Sequence, residues 1–144
     1  MKIKLYLLTL AMAVTMTSAC KKDDNQHSDD NSGSLSNAVT SIITKGSWRV
    51  SYYHENGDDH TPNFSNYLFM FGVNGSLIAS NGAGTTLGTW SIDDSSNEFR
   101  IAIGTTSPLL DMNHGWLVVA KSNTELDLKD DSPSSHEELH FTKL

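Results

Sequence analysis

The chain has 144 residues, 38% of them hydrophobic, and its 17 acidic and 10 basic side chains leave a formal charge of −7. That acidity repels phosphate backbones and anionic headgroups, which argues against nucleic acid as a partner. A single cysteine, Cys20, excludes an internal disulfide, so a hydrophobic core must hold the fold by itself.

Lys2 and Lys4 precede an apolar run from Leu5 to Val14, and small residues then lead to Cys20. A charged start, a short apolar stretch and a small-residue cleavage site lay out a secretory signal, too short to span a bilayer. Thr17-Ser18-Ala19-Cys20 resembles a bacterial lipobox. The resemblance implies loss of residues 1–19, acylation of Cys20 and attachment to the membrane through that N-terminal lipid. Two or more acyl chains anchor stably where one does not. Lys21-Lys22-Asp23-Asp24 resembles the surface-export signal of Bacteroidota lipoproteins. It implies an outer-membrane lipoprotein displayed at the cell surface, with a periplasm-facing one as the alternative. Losing Lys2 and Lys4 with the signal takes the net charge from −7 to −9.

Lys21 to Ser34 holds no apolar side chain and cannot bury enough surface to offset its ordering entropy. Residues 20–34 therefore read as a lipidated cysteine and a tether, whose 14 residues after the cysteine reach roughly 45–50 Å when extended. Residues 35–144 form one domain with one core.

Leu35, Ala38, Val39, Ile42 and Ile43 recur at helical spacing and make one apolar stripe. Ser34 or Ser36 can cap its start, Lys45 suits its end, and Gly46 can take the left-handed stop. After Gly46 the period becomes two. Strands are predicted around Trp48–Tyr52, Tyr67–Phe71, Ser76–Ser80, Gly88–Ile92, Phe99–Ile103, Trp116–Ala120, Leu126–Leu128 and Leu139–Phe141. Turn residues separate them, including Asn56-Gly57-Asp58-Asp59, Asn74-Gly75 and Asn81-Gly82. No connection is long enough for a crossover helix. The fold class is all-β: an eight-stranded antiparallel up-and-down barrel with one short N-terminal helix, or alternatively a two-sheet β-sandwich.

Gly46-Ser47-Trp48, following a short helix and opening the first strand, resembles the Gly-x-Trp signature of lipocalins. The series continues through Tyr67-x-Phe69-x-Phe71, Gly88-x-Trp90, Phe99-x-Ile101-x-Ile103, Gly115-Trp116-x-Val118 and Leu139-x-Phe141-x-Lys143. Together these are similar to small lipocalin-like lipoprotein domains of Bacteroidota. The resemblance implies that Gly46 and Trp48 plug the closed barrel end. The arginine that covers this tryptophan in lipocalins has Lys143 as its positional candidate here, and the Thr-Asp-Tyr motif is missing.

Two function classes follow. A hollow barrel would carry a small apolar or amphipathic ligand, with Tyr52, Phe69, Phe71, Trp90, Phe99 and Phe141 lining its cavity. A barrel filled by its own side chains would be a tethered interaction or accessory module. Trp48 should lie under or beside the helix and face the same side as Val50 and Tyr52. Phe69, Phe71, Trp90, Phe99, Ile101, Leu128 and Phe141 should share that interior. Phe71 pairs with Ile78 if Asn74-Gly75 is a two-residue turn, and with Leu77 if the turn has three residues from Val73. Leu68 and Met70, and likewise Leu117 and Val119, give two strands a second apolar face, which either the helix or a partner must cover, the helix being the expected one.

A metal-dependent enzyme is the remote alternative. His136-Glu137-Glu138-Leu139-His140 matches H-E-x-x-H, which needs both histidines one helical turn apart. Leu139 and Phe141 alternate like a strand, on which His136 and His140 would stand ~13 Å apart, too far to share one ion. His54, Asp58, Asp59 and His60 are ligand types without diagnostic spacing. The sequence thus nominates no catalytic residue, cofactor or metal ligand, and identifies no protein partner.

Overall fold

The computed structural model describes residues 33–132 and 134–144. The signal segment 1–19, Cys20 and the tether up to residue 32 lie outside the described residues.

Helix α1 spans Leu35–Ile43, capped by Ser34, whose side chain accepts from the Asn37 N–H at 3.3 Å. Nine strands follow. They are β1 (Trp48–Glu55), β2 (Asp58–Asp59), β3 (Leu68–Phe71), β4 (Ser76–Asn81), β5 (Gly84–Asp93), β6 (Glu98–Ile103), β7 (Gly115–Lys121), β8 (Glu125–Asp130) and β9 (Glu138–Lys143). Neighbours from β3 to β9 pair in sequence order, every pair is antiparallel, and β9 returns to β1 from Trp48–Lys143 to His54–Glu138. That pairing closes the ring and excludes the sandwich.

The extra strand is β2. Asn56 and Gly57 both hold positive φ, 53° and 96°, as a two-residue turn matched to strand twist requires. Asp58 and Asp59 therefore fold back onto Glu55 and His54 instead of forming a loop.

β1 and β3 meet only at Trp48–Phe69. The seam above that pair is spanned by the 3-10 turn Thr61–Phe64, which buries Phe64 and whose Thr61 hydroxyl oxygen accepts from the Tyr53 N–H at 2.8 Å.

The β3–β4 hairpin takes the three-residue turn. Phe71 pairs with Leu77, and Gly75 supplies the left-handed residue at φ 80°.

Two bulges change what faces inward. In β1 the register shifts between Val50 and Tyr52. Inserting Ser51 flips the following parity, so Tyr52 points outward and Tyr53 takes the interior place expected of Tyr52. Tyr52 stacks on the outer wall between His54 and His140, at ring distances of 4.1 and 4.7 Å. In β7 the shift lies between Val118 and Ala120, which leaves Val119 exposed.

Phe69, Phe71, Trp90, Phe99, Ile101, Leu128 and Phe141 all lie in the core. The helix does not cover the second apolar face. Ser36 binds Asp94 through its N–H and its hydroxyl, and Val39 and Ile43 pack into the core, so α1 lies over the barrel end. Leu68 and Met70 stay 44% and 43% exposed on the wall of β3.

Candidate functional site

Three places could carry function: the interior, the helix end and the opposite end. The interior is filled. Phe69 and Phe71 each pack edge-on against Phe141 at 5.5 Å, Phe71 meets Trp90 and Phe99 at 5.9 and 6.0 Å, and Trp90 stacks on Phe99 at 5.4 Å. Edge-to-face contact at such distances is how aromatic side chains fill space. These five rings are at most 6% exposed, so five of the six nominated as a cavity lining pack together, and the sixth, Tyr52, lies on the outer wall.

At the helix end, Trp48 is fully buried and donates its indole N–H to the Ile43 carbonyl at 2.8 Å. That satisfies one of the acceptors a helix C-terminus leaves open. Lys143 sets its Nζ 5.9 Å from the Trp48 ring centroid, as the positional comparison with lipocalins suggested. Gly46, at φ 84°, makes room: a Cβ there would stand 3.0 Å from Lys143 Cε.

The opposite end holds residues the sequence reading did not assemble. The segment Leu109–Met112 folds over it, with Leu109 and Met112 buried. The Met112 carbonyl accepts from the Trp116 indole at 3.1 Å, and the Asp111 carbonyl accepts from the Tyr53 hydroxyl at 3.2 Å.

His114 lies against Trp116, with ring centroids 3.9 Å apart. Its Nε2 is 3.1 Å from Glu137 Oε2, and its Nδ1 is 4.0 Å from Asp130 Oδ1. One donor atom from each of the three residues falls within 4.8 Å of the others. The register explains the meeting. Trp116 pairs with Asp130, and Lys129 with Glu138, so the residues flanking those pairs converge at one end of β7, β8 and β9.

The field there is negative. Burial holds the Tyr53 hydroxyl well above the ordinary phenol range, and Glu137, Glu55, Asp111 and Asp130 add to the effect. Burial would raise Asp130 too, but the Ser135 hydroxyl, the Ser132 N–H and His114 outweigh it, so this carboxyl lies below its ordinary range.

The other histidine groups do not converge. His54 pairs with Asp59 at 3.5 Å and His60 with Glu55 at 3.8 Å, as two separate contacts. The H-E-x-x-H segment runs into strand β9, not a helix. His140 lies beside Asp127 at 3.7 Å, and Glu137 alone of the motif joins the cluster. Among the described residues no helix is long and apolar enough to cross a membrane.

No family model and no curated protein matches the chain. Solved structures do. A DUF4847 family protein from Bacteroides vulgatus superposes with a TM-score of 0.55 at 18% identity, over 74% of this chain and 97% of that one. A lipocalin-like protein from Bacteroides uniformis gives 0.51 at 18% identity, over 71% and 99%. A protein from Bacteroides eggerthii gives 0.51 at 15%, over 69% and 98%. At such identities the likeness is one of fold, and it agrees with the ring of strands: the chain has a lipocalin-like fold, shared with proteins of Bacteroides.

Proposed function

We propose that the protein is an envelope-anchored lipoprotein whose lipocalin-like barrel is a solid scaffold, a tethered interaction or accessory module that works from its outer surface. The observation that carries this reading is the packed aromatic interior, where Phe69, Phe71, Trp90, Phe99 and Phe141 fill the place a carried molecule would need. An eight-stranded barrel is just wide enough to be filled by side chains or to hold one small ligand, and in this chain the side chains take the room. The exposed Leu68 and Met70, with Leu87 two strands away at 74% exposure, support a role for the outer wall. Anchoring rests on the lipobox resemblance at Cys20.

Native mass spectrometry of the protein purified from its own cells tests the scaffold: the mass of the acylated chain alone is expected. A stoichiometric co-purified apolar molecule would restore the carrier reading. Cys20→Ala tests the anchor, and the variant should leave the membrane fraction and lose acyl label.

A further inference from the structure

We propose that His114, Asp130 and Glu137 form a binding site for a divalent transition-metal cation of the zinc class, at the barrel end opposite α1. The imidazole is already set for it. Nδ1 of His114 lies 3.0 Å from the Gly115 carbonyl oxygen. A carbonyl only accepts, so this contact favours the tautomer that carries its proton on Nδ1, which frees Nε2 to ligate a cation. Metal-ligating histidines are held in this way, through a second-sphere bond from the other ring nitrogen.

Nε2 is buried and makes no hydrogen bond, although Glu137 Oε2 is only 3.1 Å away. The contact does not meet hydrogen-bond geometry, and a cation shared by the two donors would bring them to this separation. An ion ~2.0–2.2 Å from both donors, on the lone-pair axis of Nε2, puts an oxygen 3.1 Å from that nitrogen ~40° off the axis. Asp130 Oδ1 stands nearer the other ring nitrogen, 4.0 Å from Nδ1, and one ligand atom from each of the three residues lies within 4.8 Å of the others, so a side-chain rotation would bring Asp130 to the ion as the third donor.

Charge points the same way. Among the described residues no lysine or arginine pairs with Asp130 or Glu137, and Glu55 and Asp111 add to the negative field felt at Tyr53. One nitrogen and two carboxylate oxygens suit zinc or manganese better than calcium or magnesium, which favour all-oxygen shells. The ion would join the start of β7, the end of β8 and the approach to β9, with a coordination position left for water.

The test is a Zn2+ titration of the full-length protein, purified in detergent and stripped with a chelator. Calorimetry and imidazole 1H–15N NMR follow binding. One Zn2+ per chain is expected, with the His114 Nε2 resonance moving to a metal-bound shift. Glu137→Gln and Asp130→Asn should each weaken binding by about tenfold or more, while His60→Ala leaves it unchanged. The wild-type NMR signal keeps the outcome readable if a variant misfolds. Failure of stoichiometric uptake, an unmoved His114 resonance, wild-type affinity in both carboxylate variants, or tighter binding of Ca2+ than of Zn2+ would overturn the site.

Discussion

At one end of the barrel Trp48 donates its indole N–H to the Ile43 carbonyl of α1, and at the other Trp116 donates to the Met112 carbonyl of the Leu110–Met112 turn, at 2.8 and 3.1 Å. Each end is thus shut by a short helical piece, a brief link and a fully buried tryptophan near the start of a strand. What lies against the two rings differs in sign: the Lys143 ammonium at Trp48, and the His114 imidazole with two carboxylates behind it at Trp116. The plug is a device of stability that the chain uses twice. Among the described residues, the His114, Asp130 and Glu137 cluster lies at the Trp116 end.

Breaking either plug should have the largest effect. Trp48→Ala and Trp116→Ala each remove a fully buried indole and its hydrogen bond, which should cost ~3–5 kcal/mol in denaturant melts. Total stability for such a domain is ~5–15 kcal/mol, so each loss will be plain. If one variant is near neutral, the two ends are not the equivalent plugs their geometry suggests. The double variant sharpens the point, because independent ends should add within about 0.5 kcal/mol.

Alkali should separate the ends next. Tyr53 titrates in the folded state above its unfolded value, for burial and for the surrounding carboxylates. Its neutral form therefore contributes stability that is fully present below the unfolded pKa, ~10, and is lost as pH rises from there toward the folded value. Tyr53→Phe should flatten that alkaline limb in pH-dependent melts, whereas Trp48→Phe at the helix end should leave it in place. A limb unchanged by Tyr53→Phe would remove Tyr53 as its source.

The smallest effect belongs to the cation over Trp48. Lys143→Met keeps the aliphatic stem and removes the charge, at an expected ~0.5–1 kcal/mol. A loss near that of Trp48→Ala would mean that the cation, not the ring, closes the end.

The helix end was legible because its parts are local or aligned with a known signature: the apolar stripe from Leu35 to Ile43, Gly46, Trp48 and the late Lys143. The alternation of Phe69, Phe71, Phe99, Ile101 and Phe141 likewise gave the inner face directly. Tyr52 misled because Tyr53 is also aromatic, and the Ser51 bulge that chooses between them leaves no mark in a two-residue period. β2 was hidden because Asp58 and Asp59 have no strand propensity; the two positive φ angles at Asn56-Gly57 place them. The cluster at the other end has no local pattern at all. His114, Asp130 and Glu137 come from three segments joined by the pairing of β7, β8 and β9. The available signal was the hairpin register setting Trp116 against Asp130.

The pairing of β1 with β9 has a kinetic meaning. Trp48 and Lys143 are neighbours in space and almost the whole domain apart in sequence. The β3–β4, β4–β5 and β8–β9 hairpins can form from local chain, but closure must bring distant segments together and bear the entropy of a very long loop. Topologies dominated by such contacts fold in milliseconds to seconds, not microseconds. Of the pairings in the ring, the one between the first strand and the last therefore carries the largest loop-closure entropy.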